Sequence, residues 1–241
     1  YKAARGAYLK AYDRANDLNR HGDMVTALNG AALAAISAAD LRDADESVFI
    51  ATQLAPAMDD LNLTASAQLM AARLMLAKGD AASAWLELDL ALTYLNDEAA
   101  QQQSYGWDDG YRAEELMRCL VAVADTGRAL GDHDAARKFI RQAIVEAQRL
   151  FNVPHALMAL SGAARWAAEV GQSERAVELA GLVSDHLSAY AHDRAESKAL
   201  LASMSGKLPK DVYMAALTRG KTRTLEASIE RALSEMVESK G

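Results

Sequence analysis

An all-α fold, built as a stack of antiparallel helical hairpins, is what three features of the sequence predict. Only three prolines and fourteen glycines punctuate 241 residues, so few positions force a helix to stop. Apolar residues make up 51% of the chain and aromatic ones 6%; alanine and leucine dominate, which favours close-packed helices over strands that select β-branched and aromatic side chains. Short turns also recur in a fixed frame, at Ala39-Asp40, Gly79-Asp80, Gly131-Asp132 and Gly171-Gln172, with intervals of 40, 52 and 40 residues.

Each turn organises the helices beside it. Five residues beyond its first residue stand Ala44, Ala84, Ala136 and Ala176, and seven before it stand Ala32, Ala72, Ala124 and Ala164. Twelve beyond come Ala51, Ala91, Ala143 and Val183, and eleven before come Leu28, Gln68, Leu120 and Leu160. A methyl group at a helix crossing lets two backbones approach while larger neighbours fill the flanks. Glycine accepts the positive φ of a helix C-terminus and aspartate caps the next helix, so each unit reads as helix, tight turn, helix.

The predicted helices run 2–20, 24–38, 43–60, 63–78, 81–96, 111–130, 133–151, 154–170, 173–190, 193–204, 209–219 and 224–238. Residues 11–35 align without gaps on 143–167, an offset of 132, so residues 1–20 read as the second helix of a hairpin. Pro154 and Pro209 suit first helical turns, whereas Pro56 should kink or end its helix. The long middle interval falls in NDEAAQQQSYGWDDG, residues 96–110. There Tyr105 and Trp107, with Tyr111 beyond, could anchor a partner, but are expected to fold back over the seam between hairpins. Residues 1–241 are expected to form one domain, with hairpins over 1–190 and capping helices over 191–241.

The columns resemble the tetratricopeptide repeat, although the 40-residue interval is longer than that family's usual period and its helix-terminal proline is missing from most units. The closing segments GQSERAVELAGLVSDHL and VYMAALTRGKTRTLEASIERAL resemble the C-terminal superhelical domains of bacterial signal-transduction ATPases with numerous domains, the group of maltose-activator-like and LuxR-type regulators. Tyr213, Ala216, Gly220, Leu225, Glu226, Ile229, Ala232 and Leu233 occupy matching places, while Leu217 stands where that family has Trp. The resemblance implies that the hairpins form a right-handed superhelix, and that a parent protein carries an ATPase module upstream and an effector domain elsewhere. The chain's start at Tyr1 without a Met fits an excised piece.

Gly220-Lys221-Thr222 is not the end of a phosphate loop. That loop carries glycine five residues earlier, where Ala215 stands, and follows a strand, whereas PKDVYMAALTRG reads as a helix. Gly220 is instead expected to end one helix, Thr224 to cap the next near Glu226 and Glu230, and Leu225, Ile229, Leu233 and Met236 to form a stripe covering the flank of the last hairpin. Terminal repeats need such a lid.

A formal charge of −7 argues against a general nucleic-acid surface. Cys119, the single cysteine, reads as a core position. The five histidines, His21, His133, His155, His186 and His192, lack the i, i+4 spacing of a helical metal site. Neither a cofactor nor a catalytic constellation is expected; an enzyme would have to draw on Asp125 and Glu169. With no apolar run of membrane length and no leader-like start, a cytoplasmic location is expected.

Binding is the expected role. In superhelical arrays the first helix of each hairpin lines the concave side. The frame places Asn29 and Ser37 there from the first unit, Arg73 from the second, Arg118, Asp125 and Arg128 from the third, and Ser161, Arg165 and Glu169 from the fourth. Two readings stay open: an arginine-bearing groove that grips carboxylate or phosphate groups, or structural ion pairs among these residues. The expected function is a non-catalytic sensor or scaffold domain of a signalling ATPase that binds a protein, peptide or small effector, with a free-standing adaptor as the alternative.

Overall fold

The computed structural model describes residues 1–97 and 109–236, and every regular element among them is helical. In chain order the α-helices are α1 (Lys2–Asp17), α2 (His21–Ser37), α3 (Leu41–Leu54), α4 (Leu61–Ala77), α5 (Ala81–Asn96), α6 (Asp109–Ala129), α7 (His133–Arg149), α8 (Val153–Glu169), α9 (Ser173–Asp185), α10 (Ala191–Met204), α11 (Lys210–Thr222) and α12 (Leu225–Glu235). Tyr105 and Trp107 lie outside the described residues, and Tyr111 falls in the first turn of α6.

The turns are more regular than their residue types. Left-handed φ values of +51° to +85° occur at Asn19, Ala39, Asp59, Gly79, Gly131, Phe151 and Gly171. These positions are twenty residues apart on either side of the long interval between Gly79 and Gly131. At six of them the next amide bonds back to the carbonyl five residues earlier, as in Asp40 to Ala35, Asp80 to Met75 and Asn152 to Ala147, which closes the last helical turn. The residue after the left-handed one then caps the following helix: the side chains of Asp40, Asp60, Asp80, Asp132 and Asn152 each accept a backbone N–H. Each cap contributes about 1 kcal/mol. At Asp59 the geometry differs, because Pro56 converts the end of α3 into a 3-10 turn, Ala55–Met58.

The chain forms two compact units, Tyr1–Ala122 and Val123–Gly241. In the first, α2 packs against α1, α3 and α4, and α4 against α5. In the second, α8 packs against α7, α9 and α10, while α9 also meets α11. Sandwiched helices are buried nearly all round: α2 buries nine of 17 residues, α4 eleven of 17 and α8 twelve of 17. Other helices bury one stripe, four of 14 residues in α3 and five of 17 in α7. All eight alanines of the two alanine columns are exposed by 1% or less, so they are the crossing points at which small side chains bring backbones together. In the first unit Ala32 and Ala44 belong to an apolar cluster with Val48 and Met70, while Ala51, twelve residues beyond its turn, belongs to a second with Val25, Leu28 and Leu63.

Three details depart from expectation. α9 ends at Asp185 rather than near 190, because His186 is extended and the Arg194 guanidinium bonds the carbonyls of Leu187 and Ala189, holding 186–190 as a turn. Pro209 is the N-cap of α11 rather than part of its first turn. Gly220 does not end a helix: α11 continues to Thr222, and a Cβ at Gly220 would sit 2.1 Å from the Glu178 carbonyl oxygen of α9. Glycine is required there by close approach of two helices. Thr224 caps α12 as expected, accepting from the Ala227 amide, and Ile229, Ala232 and Met236 are buried.

Candidate functional site: ionic clusters along the hairpins

In the first unit the expected groove residues are built into helix contacts. Asn29 is buried and donates from Nδ2 to Ser66 Oγ at 3.0 Å, joining α2 to α4. Arg73 is half-buried. Arg118 pairs with the buried Glu115 at 2.6 Å, one turn earlier on α6, and lies 3.8 Å from Glu114. Cys119 is fully buried, with its sulfur 3.8 Å from the Leu88 carbonyl. Burial foremost, and then the neighbouring Glu115, push this thiol up to about 12, against the pull of Arg73. It is a core residue that stays protonated at neutral pH.

The second unit brings the other predicted residues together. Arg165 on α8 grips Asp125 on α6 in a fork, both oxygens lying 2.9 Å from Nη2. Its Nη1 donates to Ser161 at 3.2 Å and to Glu196 on α10. Arg128 joins Asp125 at 2.7 Å and reaches Glu169 through Nε at 3.0 Å. Burial alone would weaken the charge on Arg165, but Asp125 and Glu196 outweigh it and hold the guanidinium more firmly protonated than usual. Ser161 is buried and faces Ser197 at 3.4 Å. These ion pairs clamp α6, α8 and α10, so Arg128 and Arg165 are engaged by the protein's own acids.

A second cluster was not anticipated from the sequence. Glu178 on α9 is 3% exposed and receives four guanidinium groups: Arg175 at 2.8 Å, Arg219 at 3.3 Å, Arg231 at 3.0 Å, and Arg223. Arg175, 8% exposed, also holds Glu235 at 2.7 Å, and Arg219 holds Glu174 at 2.9 Å. Beside them opens a cleft of about 400 Å³ at the N-terminus of α9, whose charged lining is Arg175, Arg219 and Arg231 with Glu174, Glu178 and Glu235. The signal for this cluster was the pair of phrases SER and TRGKTR, whose charges lie about 45 residues apart; one sequence does not show that they meet.

Among the described residues no group of three His, Cys, Asp or Glu side chains is placed to hold a metal ion, and no helix is long and apolar enough to cross a membrane. His192 pairs with Glu196 at 3.1 Å, and His155, 1% exposed, bonds Asn152 at 2.8 Å and stacks edge-on with Tyr190.

Packed antiparallel helices joined by repeated caps define an all-α, helical-hairpin class of protein. The crystal structure of BtubC (BKLC) from P. vanneervenii is similar in fold, with a TM-score of 0.61 at 15% identity over 95% of this chain and 92% of that one. No family model matches the chain, and no curated protein matches it.

Proposed function

We propose that this chain is a non-catalytic binding scaffold, a tetratricopeptide-like superhelix that serves as the sensor domain of a larger signalling ATPase and receives a protein, peptide or small effector on its first-helix face. The observation that carries this reading is the twenty-residue rhythm of caps and left-handed turns. It repeats one structural unit many times, which is how solenoids generate extended binding surfaces. The likeness to BtubC supports the helical-repeat part. The closing segments support the ATPase part: Ala216, Gly220, Ile229 and Ala232, which match that family's phrase, are each buried.

On this reading, first-helix arginines present charge to the effector, and Arg73, half-buried on α4, is the one tested. In the parent protein, Arg73→Ala should abolish the effector response while leaving the circular-dichroism spectrum unchanged. An unaltered response moves the site elsewhere. The ATPase assignment predicts a phosphate-loop domain encoded upstream of Tyr1; a reading frame opening close to Tyr1 favours the free-standing adaptor instead.

A further inference from the structure

The Glu178 cluster holds more positive than negative charge: Arg175, Arg219, Arg223 and Arg231 face Glu174, Glu178 and Glu235. This runs against a chain whose formal charge is −7. The cluster also contains an unmet donor. Arg175 is 8% exposed and its Nη2 has no hydrogen-bond partner, and leaving a buried charged donor unsatisfied carries a free-energy cost. Burial first of all draws its pKa down to about 10; Glu235 opposes that, and Arg231 and Arg223 add to it. An added anion would relieve each of these strains.

The cleft lies where such an anion would sit. It opens at the first turn of α9, a helix of 13 residues whose N-cap, Gln172, supplies no side-chain acceptor. Backbone N–H groups and the positive end of the helix dipole favour negative charge there. Arg219 and Arg231 stand at the mouth, each about two-fifths exposed. A carboxylate from the chain itself already occupies part of this position. Glu235 bridges Arg175 Nε at 2.7 Å and Arg231 Nε at 2.6 Å, yet remains 37% exposed. It therefore holds the arginines in an anion-ready arrangement and can swing out to solvent.

We propose that this cleft is an oxyanion site that takes a phosphate group, free or carried as a monoester on a small molecule, with Arg175, Arg219 and Arg231 as its ligands and Glu235 as the resident carboxylate it displaces. Planar guanidinium groups suit bidentate contact with phosphate oxygens. The site is separate from the first-helix face and stands or falls independently of the function proposed above.

The test is calorimetric titration of the chain with inorganic phosphate and with phenyl phosphate, at ionic strength held constant with chloride. Saturable binding is expected. Glu235→Gln should tighten it about tenfold by removing the internal competitor, and Arg219→Gln should weaken it about tenfold. Phenyl phosphate binding tenfold tighter than phosphate identifies a monoester ligand, and equal affinity identifies the free ion. Absence of saturable binding in the parent chain overturns the proposal, as does an isotherm that neither variant alters. Arg219 is exposed enough for its variant to fold, so if Glu235→Gln does not fold, the Arg219→Gln isotherm decides alone.

Discussion

The helices α5 and α9 follow Gly-containing turns two units apart in the repeat frame, yet α5 buries four of its 16 residues and α9 ten of its 13. α5 is amphipathic, with Leu86 and Leu90 exposed on its outer side. α9 is enclosed, because α10 and α11 pack against it and Arg231 and Glu235 of α12 reach its charged residues. Covering a helix that keeps its charges forces those charges to find partners, since an isolated buried ion is far too costly. The ring of guanidinium groups around Glu178 is the consequence of closing this end of the repeat with polar residues still on α9.

The largest expected effect comes from breaking that ring. Glu178→Ala leaves the buried Arg175 with Glu235 alone and takes from Arg219, Arg223 and Arg231 the carboxylate they share; it should cost about 3–5 kcal/mol, read as a large drop in the denaturation midpoint. The matched change in the first unit is Asp45→Ala. It removes the Lys78–Asp45 pair, whose side chains are 40% and 54% exposed, and should cost less than about 1 kcal/mol. Equal losses would mean that enclosure of α9 has little energetic weight.

Glycine sharpens the same contrast. Gly220→Ala would place a Cβ against the Glu178 backbone, 2.1 Å from its carbonyl oxygen. Overpacking of this kind should cost about 3 kcal/mol. Gly79→Ala meets nothing within 4 Å, and only its φ of +85° resists substitution; about 1 kcal/mol is expected. Chemical denaturation of the two variants separates a glycine needed for contact from one needed for backbone conformation.

The same argument predicts stabilisation where the sequence breaks its own turn rule. Ala39 and Phe151 hold φ values of +58° and +51° without being glycine, and Phe151 is 92% exposed. Ala39→Gly and Phe151→Gly should each raise stability by about 1 kcal/mol, the left-handed penalty exceeding the entropy glycine adds to the unfolded chain. A fall in melting temperature for both would show that side-chain contacts, not backbone preference, set these turns.

These turns also show what the sequence made legible. Three of the seven carry glycine and one carries Ala39-Asp40, so the hairpin interval and its alanine crossings could be read directly. The shorter twenty-residue rhythm was hidden because Asn19, Asp59 and Phe151 occupy the intervening turns; the caps Asp60 and Asn152 were the signal that remained. Gly220 was misjudged because glycine serves both helix ends and close crossings, and only the position of Glu178, far away in sequence, tells them apart. The first-helix arginines were visible in the repeat frame, and pairing with Asp125 and Glu169 was one of the two readings open. The sequence did not decide between them, since Arg165 meets Asp125 across 40 residues and Glu196 across 31.

The smallest effect concerns how each unit treats a buried ionisable group. Around α9 the groups are charged and paired, whereas Cys119 in the first unit is buried and kept neutral, its pKa raised from 9.0 to about 12 chiefly by burial. The folded state thus retains a proton that the unfolded chain loses above about pH 9. Stability from this source is fully present below that pH and declines as pH rises toward 12, by about 1 kcal/mol at pH 9.5. Cys119→Ala removes this slope, so the difference in unfolding free energy between the two chains should shrink on going from pH 7 to pH 9.5. Ellman's reagent offers a second reading: the native thiol should be unreactive at pH 8 and react at once in denaturant, because the thiolate is the nucleophile and the fold suppresses it. Rapid labelling of the native chain would place Cys119 outside the core and remove the contrast with α9.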